Sequence, residues 1–228
     1  KQGIAVLIDL AKEADVLVEN FRPGVVDRMG IGYEAVHARN PRIVYASISG
    51  YGQTGPWVHR RAYAPVVGAE SGATKVTGDA RGGQYANDPL SHADVYTALE
   101  CASAILAALF QRERTGRGER IDVALFDSLF AANDMSLQQC LLTGAPDVFY
   151  HPVHKTQDGW LTANIGPDFR AWENVCKAMD RADLLADPRF STQKAVMANR
   201  VEATQLVQQW LAGLTTAEAE RRLVAHHV

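Results

Sequence analysis

SHADVYTALECASAILAALFQRERTGRGERIDVALFD, residues 91–127, is the stretch around which this chain is organised. A polar lead-in ends in Asp94, and from about Val95 to Arg114 leucines, isoleucines and alanines recur at helical spacing. Gly116-Arg117-Gly118 stops that helix, and Arg120 to Phe126 reads as a buried strand. A side-chain oxygen of Ser91 or Asp94 can accept from the open N–H groups of the first helical turn. A carboxylate at that end also gains from the helix dipole. Read on its own, Asp94 is an N-cap.

Working outward toward the N-terminus, Gly3 to Ala14 is an amphipathic helix and Asp15 to Glu19 a short apolar strand. Asn20-Phe21-Arg22-Pro23-Gly24 is turn chemistry. Short helices are expected at Val25–Met29 and Tyr33–Ala38, then a strand at Arg42–Ile48. Strand, helices and strand within about 30 residues predict a βαβ unit on a parallel sheet. The loop Gly50-Tyr51-Gly52-Gln53-Thr54-Gly55-Pro56 follows the second strand as the Asn20–Gly24 loop follows the first. In an open α/β sheet ligands bind outside the carboxyl ends of the strands, so both loops belong to one candidate site.

Between that loop and Asp94, Ala62–Val76 is read as a helix and 78–89 as a glycine-rich loop. Beyond the quoted stretch, Ser128–Leu142 is a helix closed by Gly144 and Pro146, and 147–157 a linker. Gly159–Ile165 is then a strand, with helices at Phe169–Met179, Ala195–Leu211 and Thr216–Ala225, the last opened by Thr215 or Thr216 with Glu218. The expected fold class is α/β. An open, parallel, Rossmann-like sheet portion spans 1–150, and a smaller mixed α/β portion spans 151–228. Both ends of the sequence fall on helical patterns, which predicts a piece of a longer protein.

Composition narrows the class. A chain of 228 residues, 47% hydrophobic, can bury a sizeable core. Its formal charge of −3 predicts no broad basic surface, and therefore no nucleic-acid partner. Cys101, Cys140 and Cys176 lack metal or disulfide spacing, which suits a reducing, cytoplasmic setting. No run of about 20 apolar residues is read, so no membrane partner is expected. The histidines make no metal pattern, His151 and His154 lacking a nearby third ligand. Neither a G-x-S-x-G elbow, a G-x-G-x-x-G turn nor a Walker loop is present, which excludes the serine-hydrolase, nicotinamide and nucleotide-triphosphate classes.

Three motifs, VENFRPGVVDRMG, NPRIVYASISGYGQTGP and ILAALFQRERTGRGERIDVALFDS, occur in order. Together they resemble the class III CoA-transferases of the formyl-CoA transferase type, a superfamily shared with the α-methylacyl-CoA racemases. The resemblance implies a CoA transferase with coenzyme A or acyl-CoA as substrate, a free carboxylic acid as second substrate, no metal, and an interlocked homodimer. It makes Asp94 the nucleophile that carries CoA as an aspartyl thioester. It makes Asn20, Phe21, Arg28, Met29 and Tyr51 CoA contacts, although Phe21 and Met29 also fit core packing and Arg28 a solvated helix face. Ser49 stands where formyl-CoA transferase has a lysine. The racemases carry Gly-His-Asp where this chain has Arg61-Ala62-Tyr63-Ala64, and a glutamate near Asn164–Asp168. Lacking both, the chain does not have the acid–base pair that racemisation needs. The glycine-rich covering loop of formyl-CoA transferase has no counterpart, which argues against oxalate and formyl-CoA as substrates. A domain that binds CoA or a partner subunit without turnover is the non-enzymatic alternative.

Overall fold

The first helix, α1 (Gln2–Ala11), leads into β1 (Val16–Glu19), which pairs parallel with β2 (Val44–Ser49), Val16 opposite Val44 and Glu19 opposite Ser47. Helices α2 (Val25–Met29) and α3 (Tyr33–His37) make the crossover. Asn40 ties it to what precedes, its amide donating to the carbonyls of Ala11 and Ala14 at 3.0 and 2.9 Å. A third parallel strand, β3 (Arg120–Ala124), completes the order β1-β2-β3. This is a computed structural model that describes residues 2–144, 152–163 and 169–228. The chain divides into two compact units, residues 1–148 and 149–228.

Between β2 and β3 run α4 (Ala64–Glu70), α5 (Ala73–Ala80) and the 24-residue α6 (His92–Thr115). The single helix expected over Ala62–Val76 is therefore two. Gly72, at φ 87°, takes a left-handed conformation that a helix cannot continue through. The second piece runs on to Ala80, into the expected loop. Cys101 and Ala108 of α6 are buried with Val44, Ala46, Ile121 and Val123 of the sheet. By length and composition α6 could cross a bilayer, which corrects the expectation that no such run exists. Its alanines supply the apolar length, and here they allow close packing on strands.

The capping expectation also needs correction. Ser91 is at the N-cap in a left-handed conformation, φ 50°, and makes no side-chain cap bond; Asp94 lies inside the first turn. The first-turn donor is met from further upstream. Asp88 accepts from the N–H of His92 at 2.6 Å and from that of Leu90 at 3.0 Å.

After β3 the chain turns at once into α7 (Leu125–Ala132), so Leu125 and Phe126 are helical rather than the end of a strand. The apolar pair suits either state, and burial of Leu125 and Leu129 with Ala64, Val67 and Ala93 decides it. Asn133 separates α7 from α8 (Asp134–Thr143).

The second unit has its own core. An antiparallel hairpin, β4 (Val153–Lys155) and β5 (Trp160–Thr162), pairs Val153 with Thr162. Thus part of the expected linker is a strand; its segment 147–151, residues 164–165 of the expected 159–165 strand, and the 164–168 segment compared with the racemases lie outside the described residues. Helices α9 (Phe169–Ala178), α10 (Gln193–Ala198), α11 (Arg200–Leu211) and α12 (Thr216–Ala225) bury Trp172, Val175, Phe190, Val207, Leu211 and Leu223 together. Asn199 splits the expected Ala195–Leu211 helix in two. Thr215 caps α12 as expected, accepting from Glu218 N at 3.3 Å.

Candidate functional site

Because the three strands of the first unit are parallel, the segments after Glu19, Ser49 and Ala124 leave the sheet at one end. Phe126 N donates to Gly50 O at 3.1 Å, and Gln53 N to the Asp122 carboxylate at 2.9 Å, so these ends are bonded to each other. Glu19, 7% exposed, accepts from Phe21 N at 2.9 Å and fixes the first loop.

Two grooves open there. The smaller, about 280 Å³, is lined by Asn20, Phe21, Ser49, Tyr51, Arg61 and Tyr63 among others. The larger, about 620 Å³, is lined by Arg22, Gly24, Arg28, Gln53, His59 and Arg120 among others. They share Arg22, Pro23 and Val58 and so form one trough. A chain of net negative charge gathers arginines along it.

Aromatic rings cluster around Tyr51, which lines the smaller groove. Tyr51 meets Trp57 edge-on at 5.4 Å, and both rings lie near Phe126, at 6.2 and 5.7 Å. The Tyr51 hydroxyl donates to Glu70. The other Glu70 oxygen holds Arg60 at 2.9 Å, and the Arg60 guanidinium lies 4.4 Å over the Trp57 ring. Burial first, and then the Glu70 carboxylate, push the Tyr51 phenol up to about 12. Tyr51 is therefore a hydrogen-bond donor at neutral pH, not a base.

Asn20, Phe21 and Tyr51 thus meet in the smaller groove and Arg28 in the larger. Asp94 and Met29 line neither groove. Met29 is 39% exposed, and Asp94 is exposed in the first turn of α6. Ala93 beside it is buried at 2% against Ala64 and Val67, in a cluster that also takes in Ala62. The start of α6 is therefore packed on the segment that forms the groove wall at Arg61–Tyr63. Among the described residues no group of three His, Cys, Asp or Glu could hold a metal.

The sequence profile of CoA-transferase family III matches residues 1–228. The chain belongs to that family. A Fusarium pseudograminearum protein named acyl-CoA transferase is 34% identical over 229 residues, spanning 92% of this chain and 50% of its own. An acetyl-CoA:oxalate CoA-transferase of Acetobacter aceti is 37% identical over 204 residues, 86% of this chain and 52% of its own. The crystal structure of a CAIB/BAIF family protein from Brucella suis superposes with a TM-score of 0.81 at 29% identity, covering 100% of this chain and 62% of that one. A hypothetical protein from Mycobacterium tuberculosis gives a TM-score of 0.85 at 31% identity, covering 100% and 63%. This family III chain spans about half the length of the curated relatives, 50% and 52% of these two.

Several groups in and beside the trough were given no role from the sequence. Arg60, Arg61, Glu70 and Trp57 come from a segment that reads as polar loop and helix. Their roles depend on which groups the fold brings beside them. Glu70 is nineteen positions from Tyr51, and no motif joins them. Ser49, 6% exposed, has a hydroxyl with no hydrogen-bond partner among the described residues.

Proposed function

We propose that this chain carries the CoA-binding trough and the nucleophile of a CoA transferase, which moves CoA from an acyl-CoA thioester to a free carboxylic acid. The observation that carries the reading is the exposed Asp94 carboxylate, in the first turn of a 24-residue helix whose start is packed on the groove wall. A carboxylate is a nucleophile suited to a thioester carbonyl. Arg28 and Arg22 in the larger groove suit the phosphates of CoA, and Phe21 offers an apolar face in the smaller one.

The chemistry is a sequence of acyl exchanges. An Asp94 oxygen attacks the thioester carbonyl, the C–S bond breaks, and CoA thiolate leaves an anhydride behind. The thiolate attacks the Asp94 carbonyl of that anhydride, giving an aspartyl-CoA thioester and freeing the donor acid. The acceptor carboxylate then attacks this thioester, and the released thiolate attacks the acceptor side of the new anhydride. Acyl-CoA leaves and Asp94 is again a carboxylate. No net proton or electron is exchanged. Each step passes through an oxyanion, which backbone N–H groups are suited to meet.

Racemisation is the poorer reading, since Tyr63 and Ala64 put neither histidine nor aspartate in the motif they replace. The same reading makes the whole protein a cytoplasmic homodimer. Its partners are an acyl-CoA and an acid, not nucleic acid or membrane. Incubation with acyl-CoA, acid quench and peptide mapping test it. CoA should be found on the peptide that holds Asp94, and hydroxylamine should release it. Turnover without any adduct on that peptide, or an adduct on another carboxylate, overturns the mechanism.

A further inference from the structure

We propose that Glu70 is a positioning residue of the smaller groove, setting the ring of Tyr51 and the guanidinium of Arg60 as a fixed wall against which CoA binds. The inference takes its ligand from the transferase reading. Glu70 is the last residue of α4. A carboxylate at that end works against the helix dipole, so the helix does not explain its place. Its two oxygens go to two partners. The Tyr51 hydroxyl donates to Oε2, and Arg60 Nη1 donates to Oε1 at 2.9 Å.

Arg60 and Tyr51 are joined a second time, through Trp57. The Arg60 backbone N–H donates to the Trp57 carbonyl at 2.8 Å, and the Arg60 guanidinium lies 4.4 Å over the Trp57 ring. That ring in turn meets Tyr51 edge-on at 5.4 Å. Tyr51, Glu70, Arg60 and Trp57 therefore close a circuit in which each touches the next. Residues 50–63 form no helix or strand, and segments without a ladder open locally at low cost. The side-chain circuit is what ties this loop to the end of α4.

Tyr51 and Arg60 line the smaller groove, whereas Glu70 and Trp57 line neither groove. Glu70 thus acts on a ligand only through its two partners. With its hydroxyl given to Glu70, Tyr51 offers the ligand its ring, in the groove that Phe21 also lines. The place calls for a carboxylate. A phenol and a guanidinium both donate, and a carboxylate has an acceptor oxygen for each. A glutamine amide of the same size has one acceptor, and its NH₂ sets a donor against a donor.

The test compares the intact protein with Glu70→Gln, Tyr51→Phe and the double variant, using CoA in calorimetry and an acyl-CoA in turnover. Glu70→Gln should weaken CoA binding about 3–10-fold, the scale of the hydrogen bonds it disrupts. The loss in turnover should fall on KM for the acyl-CoA rather than on kcat. Tyr51→Phe keeps the ring and loses the same bond, so the double variant should bind CoA within about twofold of the poorer single one. Hydrogen exchange gives a reading that needs no CoA. Amides of 51–60 should exchange faster in Glu70→Gln, and those of 149–228 should not change. Unchanged CoA affinity in a folded Glu70→Gln, a loss confined to kcat, losses that multiply in the double variant, or unmoved exchange at 51–60 would each overturn the proposal. A wild type that binds no CoA overturns the transferase reading instead, and exchange at 51–60 then decides whether Glu70 holds the wall.

Discussion

Gly50 and Ala62 approach so closely that a side chain at position 50 would place its Cβ 2.2 Å from the Ala62 Cβ. Gly50→Ala therefore forces the loop after β2 and the segment before α4 apart. Overpacking of this kind costs about 1–3 kcal/mol. The next contact, to the Ala62 Cα, is at 3.5 Å, an ordinary packing distance. Ala62→Gly in the same chain should thus recover most of the lost stability. Denaturant unfolding of the two single variants and the double variant measures it. Additive losses, without recovery, would show that the contact does not govern this wall.

Arg112 and Asp15 form an ion pair with unequal ends. Arg112 Nη2 reaches Asp15 Oδ1 at 2.7 Å, yet the arginine side chain is 9% exposed and the aspartate 76%. Arg112 also donates to the backbone carbonyls of Asp15 and Arg42, at 3.3 and 3.1 Å, tying the end of α6 to the starts of β1 and β2. Asp15→Asn should cost less than about 1 kcal/mol, as for other exposed partners. Arg112→Ala removes a nearly buried side chain with its bonds to two carbonyls and leaves a gap under the helix, and should cost about 2–4 kcal/mol. Thermal unfolding distinguishes them; equal losses would mean the charge pair, not the carbonyl bonds, carries the effect.

The central stretch was legible because its signals are local. Gly116 ends the long helix, and Ile121 and Val123 alternate into the sheet core. What failed was also local in appearance. Nothing in Ala62–Val76 ranks Gly72 above Gly68 as the break, and only Gly72 takes a positive φ. Ser91 has a good capping side chain, but its left-handed backbone leaves the bond to Asp88, four residues before His92. The site divides in the same way. Asn20, Phe21 and Tyr51, expected together from motifs, line one groove, whereas Met29 and Asp94 lie outside its lining. Glu70 is bonded to Tyr51 and Arg60, nineteen and ten positions away, which spacing does not reveal.

In the second unit, His154 on β4 is 1% exposed with Nε2 unpartnered among the described residues. Burial depresses its pKa below the usual 6.5, and the nearby Gln208 side chain offsets this only in part. The folded state thus prefers the neutral ring. The stability this provides is present above the unfolded value near 6.5 and is lost as pH falls through the lower folded value. The slope for a single proton approaches about 1.4 kcal/mol per pH unit. Amide exchange of β4 should therefore quicken as pH drops below 6.5, after correction for intrinsic rates. His154→Leu should flatten the dependence; an unchanged pH profile in that variant assigns it elsewhere.

Asp88 and Asp94, both near the start of α6, can be tested apart. Asp88 accepts from His92 N at 2.6 Å and Leu90 N at 3.0 Å. Those backbone bonds, that to His92 foremost, hold its carboxyl below the usual range. Asp88→Ala should lower the thermal midpoint, as a lost cap does, and should leave turnover intact wherever the protein remains folded. Asp94→Asn keeps the size of the side chain and removes only a charge near the helix N-terminus, worth about 0.3–1 kcal/mol. Its thermal midpoint should barely move, while covalent CoA capture and transfer should disappear, because a neutral amide does not attack a thioester as a carboxylate does. The two variants thus give opposite patterns, stability lost with activity kept and stability kept with activity lost. A folded Asp94→Asn protein that binds CoA and transfers it near the wild-type rate would remove Asp94 from the mechanism.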